Sequence, residues 1–160
     1  MPYSKAERGK AAPETRQQPS LTIVVPCFNE EESLLFLLAG VDTLNAHLLD
    51  TDRIREPLTL MLVDDGSADR TWDLIQTTQA RFKITGVKLS RNHGHQRALM
   101  AGLMQAEGDV IVSMDADLQD DPNASAEMID NYLKCDDIVF GVRDSRTTDS
   151  LLKRSRARGY

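Results

Sequence analysis

A short apolar stretch that ends in acidic residues is the part of the sequence best suited to chemistry. Residues 109–114 contain a β-branched apolar run, which predicts a buried strand. Asp115, Asp117 and Gln119 follow at alternate positions, so in extended chain their side chains would point the same way and could meet one cation. Carboxylate and amide oxygens favour Mg²⁺ or Mn²⁺, ions that often keep coordination sites open for substrate phosphates. The stretch predicts a metal site for a phosphorylated ligand, and a solvated acidic loop is the alternative.

The elements around this stretch alternate between strands and helices. Predicted strands lie at 21–25, 58–63, 86–89, 109–114 and 138–141, with helices between them. Such alternation predicts an α/β domain with a doubly wound, mostly parallel sheet. Ligands of such sheets bind beyond the carboxyl ends of the strands. Five polar strand ends would meet there, at residues 26–30, 64–67, 90–94, 115–121 and 141–143, and this convergence favours a site.

Capping residues predict where the helices begin. Asn29 is expected to cap the first helix, with the glutamates at 30–32 in its positive first turn. Ser67 or Asp69 would cap the second helix, which runs to about Arg81. The third helix would run from His95 to about residue 107.

Composition and charge limit the classes of function. The 160 residues are 41% hydrophobic and 28% charged, which is typical of one globular domain. The net charge is −6, and because residues 1–20 and 142–160 are net basic by two and four charges, the middle is near −12. An acidic body argues against nucleic-acid binding, whereas a basic tail could meet a membrane surface or an anionic substrate.

The termini and the cysteines complete the outline. Residues 1–20 are predicted to be a mobile leader, 21–142 the folded domain, and 143–160 the start of an incomplete acceptor-side segment. No apolar run is long enough to span a membrane, so we expect a soluble, cytoplasmic chain. Cys27 and Cys135 are expected to be reduced core thiols, with a disulfide as the open alternative.

Four motifs together resemble those of the family-2 inverting glycosyltransferases. They are VVPCFNE at 24–30, VDDGS at 63–67, LSRNHGHQ at 89–96 and DADLQD at 115–120. The chain is most similar to the polyprenyl-phosphate sugar transferases, the group that contains dolichol-phosphate mannose synthase and the bactoprenol glucosyltransferases. The resemblance implies a GT-A nucleotide-diphosphosugar fold, a UDP- or GDP-sugar donor, Mg²⁺ or Mn²⁺, and a lipid phosphate acceptor. Members of the family extend well past residue 160, so the chain is expected to be a fragment or a truncated form, and the full-length protein to lie at the cytoplasmic face of the membrane.

The resemblance also implies roles for individual residues. Pro26, Phe28 and Glu30 would line the nucleoside, although the family commonly has Tyr where Phe28 stands. Asp64 and Asp65 would hold the base and ribose, the alternative being an Asp-Gly turn. The remaining residues would contact the donor diphosphate, the metal or the acceptor phosphate. Arg91 would face the diphosphate. The metal would be bound by Asp115, Asp117 and Gln119, and Asp115 would also contact the donor. The acceptor phosphate would be bound by Arg143, Lys153 and Arg154.

No residue is assigned as a catalytic base, because a phosphate monoester with a second pKa near 6 is already largely dianionic at neutral pH. Three functions remain open. They are transfer to a polyprenyl phosphate, transfer to a saccharide or protein hydroxyl, and sugar-nucleotide binding without turnover. A solubilising tail is the alternative for the basic residues after 142.

Overall fold

The computed structural model describes residues 16–116, 122–134, 136, 138 and 139, and the side chains of 122–124 are not part of that description. Four strands alternate with four helices. In order they are β1 Leu21–Cys27, α1 Leu34–Asp50, β2 Thr59–Asp64, α2 Thr71–Thr77, β3 Lys83–Lys88, α3 His95–Leu103, β4 Val110–Ser113 and α4 Pro122–Leu133.

The four strands form one parallel sheet with the order β3-β2-β1-β4. The chain moves outward from β1 to β3 and then crosses back, so that β4 lies on the other side of β1. The predicted α/β class is therefore confirmed. The reversal of direction falls between β1 and β4, and crevices of this kind at the carboxyl edge are where ligands bind in open α/β sheets.

Hydrophobic side chains fill both faces of the sheet. Every residue of β1 is buried, as expected of a central strand that is covered on both sides. Ile23 and Val25 face the core formed with α1, α2 and α4, while Val24 packs on the opposite face against α3. The helix α3 lies very close to the sheet, since a Cβ at Gly102 would be 2.5 Å from Val24 Cγ1.

Two helix starts differ from the capping predictions. The helix α1 begins at Leu34, with Ser33 in the cap position, so the prediction that Asn29 caps it was wrong. Asn29 instead has a positive φ of 55° and hydrogen-bonds to the loop after β2. Arg70, rather than Ser67 or Asp69, occupies the cap position of α2, which ends at Thr77. The side chains of Asn29 and Ser67, which the sequence predicts as caps, instead form hydrogen bonds between the loops after β1 and β2.

The predicted fifth strand, 138–141, is absent from the two of its residues that the structure describes. Residues 138 and 139 belong to no strand, and Ile138 is 75% exposed, while 140 and 141 lie outside the described residues. An exposed isoleucine is not what a buried fifth strand would show. The described sheet therefore ends at β4 on this side.

The folded part begins before the predicted boundary at residue 21. The Ser20 carbonyl accepts a hydrogen bond from the Val110 amide at 3.1 Å, and the Ser20 amide donates one to Asp109 Oδ2 at 2.9 Å. Arg16 lies over the Tyr132 ring, 4.6 Å from its centroid. Residues 16–20 therefore lie against β4 and α4, whereas 1–15 are outside the described residues.

Cys27, at the end of β1, is 1% exposed and carries a free thiol. Burial, reinforced by the negative charges of Glu30 and Asp64, raises the pKa of this thiol to about 12. The expectation of a reduced core thiol is met for Cys27, and Cys135 lies outside the described residues. None of the helices in the described part of the chain is long and apolar enough to cross a membrane.

A bidentate ion pair joins the connection after α1 to α4. Arg53 Nε and Nη2 donate to Asp130 Oδ1 and Oδ2 at 2.7 and 3.0 Å. The hydrogen bonds from Arg53 lower the pKa of the Asp130 carboxyl, with a further contribution from its charge. The fork-shaped geometry holds α4 against the first half of the chain.

We expect Asp130→Asn to lower the free energy of unfolding at pH 7 by about 0.5–1 kcal/mol, as for other partly exposed ion pairs. Because the folded-state pKa of Asp130 is depressed, this contribution is present above the unfolded pKa near 4 and is lost as the pH falls through the lower folded value. Urea unfolding from pH 7 to pH 2.5 checks this prediction, with the exposed Glu127→Gln on the same helix as control. A stability difference that did not shrink at low pH would contradict it.

Candidate active site

A small open cavity of about 170 Å³ lies where β1 and β4 diverge at the carboxyl edge of the sheet. This is the crevice that the strand order identifies as the ligand position. Two strand ends and the start of α3 line it, through Pro26, His95, Leu99, Ser113, Met114 and Asp115. The lining combines three apolar side chains with a carboxylate, an imidazole and a hydroxyl, so it offers polar groups that a charged ligand could contact.

Asp115 is the predicted metal ligand that the structure describes. It follows β4 directly and its side chain is 60% exposed at the cavity. Asp117 and Gln119 lie outside the described residues. Within the described ranges no group of three or more His, Cys, Asp or Glu side chains could hold a metal by itself. A single accessible carboxylate fits a hard cation that keeps most of its sites for water and phosphate.

His95 lies beside Asp115, which the sequence did not indicate. As predicted it begins α3, but its Nε2 is 3.5 Å from Asp115 Oδ1. That distance allows electrostatic attraction when the imidazole is protonated, and it is too long for a strong hydrogen bond. The pair is separated by 20 positions in sequence, so only the strand order could have revealed it.

Asp64 and Asp65, at the end of β2, are both buried, at 0% and 2% exposure. Asp65 accepts hydrogen bonds from the His93 amide at 2.7 Å and the Gly94 amide at 2.9 Å, one on each oxygen. Asp64 Oδ1 accepts from the Ser67 amide at 3.1 Å, while its Oδ2 has no partner in the described part of the chain. Asp65 therefore holds the loop after β3, whereas Asp64 keeps an unused acceptor oxygen.

Gly66 brings the loops after β2 and β3 into backbone contact. Its φ is +71°, and a Cβ there would lie 2.4 Å from the carbonyl carbon of Arg91. Any side chain at this position would collide with backbone, and the left-handed conformation also favours glycine. The Arg91 side chain is exposed at the rim. The predicted diphosphate residue therefore lies on a loop that Asp65 and Gly66 fix in place.

The predicted nucleoside residues of the β1 loop lie along the same edge. Phe28 is 43% exposed and Glu30 is half-buried. The Glu30 carboxylate accepts a hydrogen bond from the Ser33 hydroxyl, and its amide donates to Thr71 Oγ1 at 2.8 Å. The predicted acceptor-phosphate residues Arg143, Lys153 and Arg154 lie outside the described residues.

Comparison with known proteins identifies relatives of this chain. A family model described as glycosyl transferase family 2 matches residues 22–159. The uncharacterized glycosyltransferase YkoT of Bacillus subtilis (strain 168) is 45% identical over 91% of this chain and 44% of its own length. An undecaprenyl-phosphate 4-deoxy-4-formamido-L-arabinose transferase of Pectobacterium carotovorum subsp. carotovorum (strain PC1) is 36% identical over 84% of this chain and 40% of its own. The chain thus spans about two fifths of these relatives.

Two solved structures, one of them a mannosyltransferase, have a similar fold. Mannosyltransferase PcManGT from Pyrobaculum calidifontis, in complex with GDP-Man and Mn²⁺, has a TM-score of 0.52 and 25% identity, covering 82% of this chain and 36% of its own. Staphylococcus aureus TarS 1–349 has a TM-score of 0.53 and 22% identity over 70% of this chain and 31% of its own. The predicted GT-A type of the sheet is confirmed by these likenesses.

We expect Asp65→Asn to loosen the loop after β3, because an amide NH₂ group would face one of two backbone N–H donors. The loss should be about 1–3 kcal/mol of stability, typical of an unsatisfied buried group, with faster hydrogen exchange at His93 and Gly94. Asp64→Asn is the matched control, since only one of its oxygens is used. Equal effects of the two substitutions on exchange would contradict the assignment of Asp65 to the loop.

Proposed function

The chain belongs to glycosyl transferase family 2, and from this premise we propose that it acts as an inverting glycosyltransferase. The enzyme would move a sugar from a UDP- or GDP-sugar to a polyprenyl phosphate such as undecaprenyl or dolichyl phosphate. The observation on which this depends is the position of Asp115, an exposed carboxylate in the cavity between β1 and β4. The site would therefore offer a cation one carboxylate ligand at the position proposed for the donor diphosphate.

Two relatives support the choice of donor and acceptor. PcManGT is in complex with GDP-Man and Mn²⁺, which supports a nucleotide-diphosphate sugar and a divalent cation. The Pectobacterium relative is named for transfer involving undecaprenyl phosphate, which supports a lipid phosphate acceptor. Because a polyprenyl phosphate is anchored in lipid, we propose that the enzyme acts at the cytoplasmic face of a membrane.

We propose that the described residues contact different parts of the donor. Pro26, Phe28 and Glu30 would contact the nucleoside, and Asp64 would accept a hydrogen bond from it after a small shift, since its free oxygen is buried. The loop that Asp65 holds would bring Arg91 toward the diphosphate. Asp65 would thus serve the nucleotide through the loop rather than by touching the base.

Asp115, together with Asp117 and Gln119, would hold Mg²⁺ or Mn²⁺. When bound, the cation supplies positive charge that stabilises the departing nucleotide diphosphate. His95, whose Nε2 is 3.5 Å from Asp115 Oδ1, would border this cation site.

The acceptor is activated by its own charge. A lipid phosphate near neutral pH is largely dianionic and can attack the anomeric carbon without a protein base. It must instead be aligned with the donor, and Arg143, Lys153 and Arg154 are proposed to supply the positive charges that do so. A saccharide hydroxyl acceptor would require a general base, which no described residue is assigned to provide.

Incubation of the chain with a panel of UDP- and GDP-sugars, Mn²⁺ and a short-chain polyprenyl phosphate tests the proposal. We expect a glycolipid product with inverted anomeric configuration, detected by mass spectrometry and NMR. Arg143→Gln with Lys153→Gln should reduce this product and leave nucleotide binding unchanged. Transfer to an added saccharide alone would favour a hydroxyl acceptor, and binding without any transfer would favour a sugar-nucleotide-binding module. Either result would contradict the proposal.

Calorimetric titration with UDP and GDP, with and without Mn²⁺, tests the metal assignment. Asp115→Asn should weaken the Mn²⁺-dependent binding at least about tenfold, a loss typical even of residues that only orient metal ligands. The domain should stay folded because the side chain is mostly exposed, and Asp50→Asn at the end of α1 is the control for a change of charge. Nucleotide binding that is the same with and without Mn²⁺ would exclude the assignment.

A further inference from the structure

We infer that Asp69, on the segment between β2 and α2, and Thr71, the first residue of α2, are positioning residues. They would set the backbone of Glu30 and Glu31 and thereby the affinity for the nucleoside. The inference rests on the proposed function, because it assigns the β1 loop to the nucleotide. It concerns residues that touch the β1 loop rather than the ligand. We call the set of hydrogen bonds between residues 29–31 and 67–71 the loop clasp.

The first part of the clasp passes through the Thr71 hydroxyl. Thr71 is fully buried, and its Oγ1 accepts a hydrogen bond from the Glu30 amide at 2.8 Å. The same hydroxyl donates to Asp69 Oδ1 at 2.6 Å, and the Thr71 amide donates to that oxygen at 2.9 Å. Since the hydroxyl proton is given to Asp69, its lone pair is directed to Glu30. The Asp69 carboxylate therefore orients the group that holds the Glu30 backbone.

The second part is a reciprocal pair around Glu31. Asp69 Oδ2 accepts from the Glu31 amide at 3.1 Å, and the Arg70 amide donates to Glu31 Oε2 at 3.0 Å. Burial opposes ionisation of Asp69, but hydrogen bonds from Thr71 and Glu31 outweigh it and lower the pKa of the carboxyl. The carboxylate is thus in its charged, accepting form at neutral pH. Each of its oxygens serves a different residue of the clasp.

The third part holds the turn before Glu30. The Asn29 amide donates to Ser67 Oγ at 2.9 Å, and Asn29 Oδ1 accepts from the Ala68 amide at 2.9 Å. These bonds stabilise the positive φ of 55° at Asn29, a conformation that costs most residues energy. Phe28 and Glu30, which flank Asn29, therefore receive their directions from residues of the neighbouring loop.

The β1 loop has little else to order it. Regular structure begins only at Leu34, and no side chain caps α1. The further hydrogen bonds of Glu30 that the structure describes are local: the Ser33 and Leu34 amides donate to its carbonyl, and the Ser33 hydroxyl donates to its carbonyl and its carboxylate. A binding loop that is ordered before the ligand arrives avoids the entropic cost of ordering on binding. Loss of the clasp should therefore appear as weaker nucleotide binding, and not only as lower stability.

Thr71→Val and Thr71→Ser form the central comparison. Valine has nearly the same shape but neither donates nor accepts, whereas serine keeps the hydroxyl. We expect Thr71→Val to raise the Kd for UDP or GDP about tenfold, equivalent to about 1.4 kcal/mol. Thr71→Ser should stay within about threefold of the original chain. Hydrogen exchange should accelerate at the Glu30 and Glu31 amides in the valine variant, and not at His93 or Gly94.

Asp69→Asn provides a second test if the valine variant does not fold, because Asp69 is partly exposed. Its remaining oxygen can serve Thr71, while its NH₂ group would face the Glu31 amide. Exchange should therefore accelerate more at Glu31 than at Glu30, with a smaller rise in Kd. Asp73→Asn, an exposed change two residues past Thr71, is the control.

The outcomes separate this inference from the proposal on which it rests. If the original chain binds nucleotide and Thr71→Val or Asp69→Asn binds it equally well, the positioning role is overturned and the proposed function stands. If a variant loses stability and affinity but shows unchanged exchange at Glu30 and Glu31, the role is likewise overturned. If the original chain binds neither UDP nor GDP, the proposed function itself fails, and the inference with it.

Discussion

The central position of β1 is the constraint on which the site depends. β1 pairs with β2 on one side and β4 on the other, and every one of its residues is buried. Because the chain leaves β1 toward β2 and returns later as β4, the loops after β1 and β4 turn away from each other. The cavity opens between them, with Asp115 at its wall. Because Pro26, a residue of β1, lines the cavity itself, substitutions that disturb β1 would also change this opening.

Polar residues at the carboxyl edge of the sheet form hydrogen bonds with one another, in addition to any that they could form with a ligand. Asp65 accepts from two amides of the loop after β3, and Asp69 accepts from both sides of the loop clasp. A buried or half-buried carboxylate must find donors within the protein when no ligand is present, since an unpaired one is costly. Asp64 Oδ2 departs from this rule among the described residues. The edge is therefore a preorganised surface in which a few groups remain available.

The positions of β1 and β2 were predictable because their apolar β-branched runs are typical of buried parallel strands. The strand over 109–114 was predicted in the right place but wrongly as buried, since β4 lies at the edge of the described sheet and none of its four residues is buried. The sequence predicted β1, β2 and β4 and the edge at which their acidic residues lie. It misassigned Asn29 and could not reveal the proximity of His95 and Asp115, because both depend on which loops become neighbours. The role of Asp65 could not be predicted for the same reason. Its carboxylate binds backbone amides, which every residue except proline has, so the sequence does not show which amides it contacts. Asp117, Gln119 and the basic tail remain predictions.

The loop clasp has a consequence for how such a site could change over evolutionary time. On the β1 side it contacts three backbone amides, those of Asn29, Glu30 and Glu31. A backbone amide is present whatever side chain follows it, proline excepted. The order of the loop is therefore specified mainly by the residues at 67–71, while Phe28 and Glu30 are left free to vary. A lineage could alter which nucleoside it accepts by substituting those two side chains, and the shape of the loop would be inherited unchanged.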